Sequence, residues 1–299
     1  MSSNTYAVHT EDGRRLWVKE WGKRSGRPVF LLHGTPGSRL GPRPRDALLY
    51  RRDVRLITYD RPGYGDSDRL RGRQVSHAAA DVAAIADHLG LARFSVVGRS
   101  GGGPHALACA ALLPRRVSRV AALVPIAPLD AAGLDWSAGM TPSNVAEYAA
   151  ARRGHDHLLG RLEAIRAKIA ADPASSLPFG DTDLPESDRR VIADYGIRHM
   201  LVRNFAEGLR STIYGWVDDS LSFIQPWGFN PADIPVPVLL WHGLDDIFSP
   251  VSHTHWLAHE IRHAETLIEP GAAHFGAVTV LPEVLRWLIA DVKPGALVA

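Results

Sequence analysis

Cysteine is nearly absent from this 299-residue chain: Cys109 stands alone, so no internal disulfide can form. Set among small apolar residues, it is expected to act as a buried filler. Also missing is any apolar run near the roughly 18 residues that a membrane span requires. The N-terminus, Met1-Ser2-Ser3-Asn4-Thr5, has no basic segment followed by an apolar core, which argues against a signal peptide and for a soluble, cytoplasmic protein. Charge of one sign is not in excess either. Lys and Arg number 34 against 32 Asp and Glu, for a formal net charge of +2. They are scattered without a basic stripe, so neither nucleic acid nor a membrane is an expected partner. There is no internal repeat or low-complexity tract, and the oligomeric state stays unknown at this level.

What is present is 45% hydrophobic residues on a chain long enough for a large core, either one α/β domain with an insertion or two small domains. Residues 6–21 alternate about Glu11-Asp12-Gly13, which predicts an antiparallel hairpin. Apolar runs at 28–32, 54–59, 94–97, 117–126, 236–241 and 264–268 read as strands. Between them, helices are expected at 42–52, from a Ser76 cap to Gly90, and at 106–113, 252–262 and 282–292. Strands alternating with helices predict an α/β fold with a doubly wound, mostly parallel central sheet. From about Leu129 to Pro231 the alternation stops, leaving short helical pieces at 145–151, 158–171, 188–204 and 211–223. A helical insertion at 129–231 is therefore expected between core segments 1–128 and 232–299.

One strand ends abruptly. After Phe94-Ser95-Val96-Val97 comes Gly98-Arg99-Ser100-Gly101-Gly102, a G-x-S-x-G pattern between a strand and a helix. So sharp a turn holds the serine in a strained conformation and leaves no room for side chains at 98 and 102. It exposes the hydroxyl beside the Gly101 N–H at a helix N-terminus, where an anion is favoured. A second donor is expected from the loop after the 28–32 strand, His33-Gly34-Thr35-Pro36-Gly37, with the Thr35 N–H in the natural position. The loop Asp60-Arg61-Pro62-Gly63-Tyr64-Gly65-Asp66-Ser67 should reach the same sheet edge, with Asp60 bracing loops.

A serine hydroxyl needs a base to take its proton. Of the 14 histidines, His274 follows the last predicted strand, in Glu269-Pro270-Gly271-Ala272-Ala273-His274-Phe275, and should emerge on the edge that carries Ser100. His33 and His105 read as a loop brace and a helix residue. The imidazole in turn needs an acid. The strand at 236–241 ends in His242-Gly243-Leu244-Asp245-Asp246, offering two aspartates, and Asp130 is a third candidate.

These pieces together resemble the α/β-hydrolase fold superfamily, in its HGxP-type branch with an inserted cap. The resemblance covers both core segments, about two thirds of the chain. It implies that the acid is the fourth residue of G-x-x-D with a proline four further on, which selects Asp246 with Pro250. The implied reaction is hydrolysis of an ester or similar acyl bond through an acyl-enzyme, and the aromatic residues of the insertion make a small, largely apolar substrate the expectation. Ser100 attacks, His274 transfers the proton, Asp246 orients it, and Thr35 and Gly101 form the oxyanion hole, with no cofactor or metal. Serine at 100 separates the chain from epoxide hydrolases and haloalkane dehalogenases, which resemble it but use aspartate there. Arg99, where relatives often carry histidine or tryptophan, is expected to point away from the substrate.

The insertion supplies Trp136, Tyr148, Phe179, Tyr195, Phe205, Tyr214, Trp216, Phe223, Trp227 and Phe229, of which two to four are expected to touch substrate. Alternatives on the same core are a proline-iminopeptidase-like aminopeptidase, perhydrolysis, and a C–C hydrolase or cyclase of a biosynthetic pathway. The aminopeptidase would use Glu147, Glu163, Glu186 or Glu207 to hold an amine. The non-enzymatic alternative is a small-ligand receptor.

Overall fold

The computed structural model describes residues 5–172, 177 and 184–290. The amino-terminal hairpin forms as its pattern predicts: β1 (Thr5–His9) pairs antiparallel with β2 (Arg15–Gly22) across a turn in which Gly13 takes φ +84°. The chain then alternates through β3 (Arg27–Leu32), α1 (Asp46–Arg51), β4 (Val54–Tyr59), α2 (His77–His88), β5 (Phe94–Arg99), α3 (Gly102–Leu112) and β6 (Val117–Leu123). Five helices follow with no strand among the described residues: α4 (Pro142–Arg152), α5 (His155–Ala171), α6 (Glu186–Ala193), α7 (Tyr195–Gly208) and α8 (Tyr214–Phe223). Alternation resumes with β7 (Val238–Gly243), α9 (Ser252–Glu260), β8 (Ala264–Glu269), α10 (Gly276–Thr279) and α11 (Leu281–Ile289).

The eight strands form one sheet in the order β1-β2-β4-β3-β5-β6-β7-β8, with β3 to β8 mutually parallel and β2 antiparallel to both of its neighbours, β1 and β4. Because strand side chains alternate, each central strand feeds two cores. Phe30, Val96, Val120 and Leu240 face one core with α2, α3 and α9, where Cys109 is buried. Val29, Leu31, Val97, Ala121 and Leu239 face the other, covered by α1 and α11. The chain moves outward from β3 to β4 and returns to place β5 on the other side of β3. The direction of winding therefore reverses between β3 and β5, and at such a switch point the loops leaving the carboxyl ends diverge into a crevice.

Several expected boundaries shift for local reasons. The helix expected at 42–52 begins only at Asp46, because Arg45 is extended and Pro44 disfavours helical backbone at Arg43 before it. Ser76 precedes α2 without capping it: its side chain makes no cap bond, and its N–H donates to the Trp227 carbonyl. The single helix expected at 188–204 is two, broken at Asp194, whose extended backbone ends α6 and whose carboxylate accepts the Ile197 N–H to start α7. Phe179, and residues 291 and 292 of the last expected helix, lie outside the described residues. Among the described residues no helix is long and apolar enough to cross a membrane.

Candidate active site

Ser100 sits on the turn from β5 to α3 with φ +53°, a left-handed conformation that a non-glycine residue holds only when its surroundings enforce it. Its N–H is held by the Leu123 carbonyl at 2.8 Å, and its own carbonyl accepts the Gly103 N–H at 2.7 Å. The flanking glycines are obligatory by contact: a Cβ on Gly98 would strike the Gly102 carbonyl, and one on Gly102 the Leu32 carbonyl. The turn presents Ser100 to a cavity of about 880 Å³, counting its open mouth, at the crevice between β3 and β5.

Thr35, Gly101 and His274 border the same cavity. Among the described residues nothing accepts a hydrogen bond from the Thr35 or the Gly101 N–H, so both donors remain free. The three candidate acids separate cleanly. Asp130 and Asp245 are exposed, whereas Asp246 is buried and accepts His274 Nδ1–H on Oδ2 at 2.8 Å. Its Oδ1 takes the Phe248 and Ser249 N–H groups at 2.7 and 3.1 Å, and His242 Nε2 stands 3.3 Å from Oδ2. Burial opposes ionisation of Asp246, but the His274 charge and the hydrogen bonds from His242 and His274 outweigh it and hold the carboxyl well below its usual range. Ser100 Oγ and His274 Nε2 are not hydrogen-bonded to each other, a contact that commonly tightens only around substrate.

His33 and His105 are buried braces. His33 Nδ1 lies 2.8 Å from the Gly34 carbonyl, and its Nε2 accepts the Arg61 N–H at 3.2 Å. Burial, with the Arg61 charge, keeps its pKa well below the usual value, so the ring is neutral. His105 bonds the Gly101 carbonyl at 2.7 Å, and burial lowers it to about 3. Asp60 accepts from the Arg39 backbone at 2.6 Å and pairs with the Arg39 guanidinium.

Two features escaped the sequence. The first is Asp219 on α8, fully buried, whose carboxylate meets Arg61 at 2.5 Å, Arg73 at 2.6 Å, the Tyr64 hydroxyl at 2.7 Å and the Thr35 hydroxyl at 2.6 Å. A helix between β6 and β7 thus anchors the loop that carries Thr35. The available signal was an Asp218-Asp219 pair inside an otherwise apolar stretch, because an acid in such a place needs a partner. The second corrects an expectation: Arg99 does not point away but borders the cavity with Ser100 and His274.

Of the aromatic residues singled out between 129 and 231, Tyr148, Phe205, Trp216 and Phe223 line the cavity. Among the described residues Glu147 is the one lining carboxylate, its Oε1 accepting Trp216 Nε1–H at 2.9 Å and Ser220 Oγ–H at 2.6 Å. Glu163 and Glu186 are exposed, and Glu207 pairs with Arg39 at 2.7 Å. Among the described residues no group of three or more His, Cys, Asp or Glu is placed to hold a metal ion.

Asp188 of α6 accepts the Phe275 N–H at 2.7 Å, and burial raises its pKa to about 6. The folded protein then holds this proton more tightly than the unfolded chain does, so Asp188 costs stability as pH rises from about 4 to about 6. Asp188→Asn, which keeps the acceptor, should gain on the wild type by about 1–2 kcal/mol between those limits. Urea unfolding at pH 4.5 and 7 measures it, and an equal difference at both values would refute the assignment.

Residues 27–279 match the family model described as the alpha/beta hydrolase fold. Over 281 residues the chain is 29% identical to a non-heme haloperoxidase of Rhodococcus erythropolis, covering 91% of this chain and 93% of the relative. It is 25% identical over 291 residues to a bifunctional esterase/perhydrolase of Acinetobacter calcoaceticus, covering 96% and 99%. A solved esterase from Rhodococcus sp. ECU1013 superposes with a TM-score of 0.66 at 22% identity, over 95% of this chain and 98% of that one. With its switch-point crevice and its serine on the strand–helix turn, this chain belongs to the alpha/beta hydrolase fold family.

Proposed function

We propose that the protein is a serine hydrolase of the carboxylesterase type, acting on an ester or similarly activated acyl group of a small substrate. Ser100 Oγ attacks the carbonyl while His274 takes its proton, and Asp246 fixes the ring tautomer and balances the imidazolium. The Thr35 and Gly101 N–H groups stabilise the oxyanion. Collapse expels the alcohol, protonated by His274, and leaves an acyl-Ser100 ester. Water activated by His274 then releases the acid. In this reading residues 129–231 act as a cap whose α4 and α8 side chains close the cavity over the nucleophile.

The observation that carries the proposal is that a left-handed serine and an Asp246-bound histidine open onto one cavity with two unengaged backbone donors between β3 and β5. The esterase names among its relatives favour the same class. Hydrogen peroxide in place of water would yield a peracid from the same acyl-enzyme, as the name of the Acinetobacter relative indicates for that protein. The test is mass spectrometry of the protein after rapid quenching with a short 4-nitrophenyl ester or an uncharged fluorophosphonate. The expected adduct is one acyl or phosphonyl group on the peptide containing Ser100; modification elsewhere, or turnover without an adduct from either reagent, would refute it.

A further inference from the structure

Four arginines are buried among the described residues: Arg39, Arg61, Arg73 and Arg99. Three have a carboxylate partner, Arg39 with Asp60 and both Arg61 and Arg73 with Asp219. Arg99 has none. It is 5% exposed, yet among the described residues it makes no hydrogen bond and no ion pair, and its one ring contact is with Phe275, whose centroid lies 6.0 Å from the guanidinium carbon. Asp246 attracts it only from a distance, both its oxygens being committed to His274 and to backbone N–H groups. Asp188 does the same, with Oδ1 on the Phe275 N–H and Oδ2 buried without a partner.

A buried guanidinium that nothing pairs is unfavourable unless another molecule completes it. Burial lowers the pKa of Arg99 only to about 10, so the group stays cationic at neutral pH. Its position identifies the completing group. Arg99 precedes Ser100 in the chain and borders the cavity with it, and its Nη2 is packed so close to Gly34 that a Cβ there would stand 3.3 Å away. Gly34 adjoins Thr35. The free fork therefore lies within a few atoms of a carbonyl held between the Thr35 and Gly101 N–H groups. A planar fork matches a carboxylate, and one cation near two acids suits a monoanion better than a phosphate dianion.

We infer that Arg99 forms an anion subsite, and that the substrate is an ester bearing a carboxylate a few atoms from the scissile carbonyl. This rests on the serine-hydrolase reading above and narrows it from neutral apolar esters to monoanionic ones. The carboxylate can belong to the acyl part or to the alcohol part, and two substrate pairs distinguish them. Monoethyl glutarate against ethyl 5-amino-5-oxopentanoate varies charge on the acyl side. 4-Acetoxybutanoate against 4-acetoxybutanamide varies it on the alcohol side.

With acid release followed by pH-stat, the wild type is expected to prefer the carboxylate member of one pair by about tenfold or more in kcat/KM. Arg99→Gln should reduce that preference to within about threefold of unity, whatever its absolute rate. A merely structural role would slow both members equally and leave the ratio unchanged. Absence of a preference in the wild type, or the same ratio in variant and wild type for both pairs, overturns the subsite; the wild-type measurement needs no folded variant. If no ester is cleaved and a neutral fluorophosphonate leaves Ser100 unlabelled, it is the hydrolase reading that fails. The subsite is then read from calorimetric titration with glutarate alone, where binding by the wild type supports it and no binding overturns it.

Discussion

Ser100→Ala is expected to lower kcat/KM on a short acyl ester by about four to six orders of magnitude and to abolish fluorophosphonate labelling. In the proposed mechanism the Ser100 oxygen is the atom that becomes covalently bonded, and the left-handed turn that exposes it leaves no other hydroxyl in its place. Thr35, Ser143 and Ser249 also border the cavity, but the Thr35 and Ser249 hydroxyls donate to Asp219 at 2.6 Å and to the Val124 carbonyl at 2.8 Å, and the Ser143 hydroxyl is bonded to no histidine among the described residues. His274→Ala should cost nearly as much, since without a base the hydroxyl keeps its proton. The double variant should then be little worse than either single one, because groups that act as a unit do not contribute additively. Circular dichroism melts should stay close to the wild type for Ser100→Ala, which removes one half-buried oxygen. Activity within tenfold of the wild type in a folded Ser100→Ala protein would mean another nucleophile.

Asp219→Asn is expected to lower stability by about 3–5 kcal/mol, the usual cost of removing one partner from a buried ion pair. One carboxylate here serves two guanidinium groups, Arg61 and Arg73, and both are buried in the wild type. Burial works against its ionisation, but the two arginines outweigh that and hold its pKa well below the usual carboxylate range. The contribution is therefore complete at neutral pH and is lost only as pH falls through the unfolded and then the folded pKa. Asparagine keeps the shape and removes the charge, leaving two unbalanced cations under the Thr35 loop. A fall in Tm of about 10 °C at pH 7 should shrink as the solution is acidified. Activity of the folded fraction should drop as well, since the carboxylate that holds both Arg61 and the Thr35 hydroxyl loses its charge and one of its two acceptor oxygens. A variant melting within 2 °C of the wild type would show that the arginines find other partners.

The sheet was readable because the signals that define it are local. The runs at 28–32, 54–59 and 94–97 send successive apolar side chains into opposite cores, and they form β3, β4 and β5, with β4 at its expected bounds and the other two shifted by a residue or two at one end. The serine turn was readable for the same reason, since Gly98, Ser100 and Gly102 stand within five positions of one another. Errors came where one local signal masked another. Helical periodicity runs through 188–204, but Asp194 starts a new helix inside it by accepting the Ile197 N–H. Ser76 has the residue type of a cap, yet its backbone N–H is bound to Trp227 from another part of the chain.

By itself the sequence determined the α/β alternation, the serine on its strand–helix turn, and the placing of candidate aspartates and of His274 in loops that follow later strands. These follow from side-chain period and turn chemistry over a few residues. Only the tertiary structure decided which aspartate meets His274, that Arg99 faces the cavity unpaired, and that Asp219 ties α8 to the loop carrying Thr35. Each depends on charges brought together across long separations, 158 residues in the case of Arg61 and Asp219. Whether a buried charge finds a partner is a property of the packed core and of no shorter segment, so the pairing of Asp219 and the freedom of Arg99 at the Ser100 turn appear only once the loops of β3, β5 and β7 share one edge.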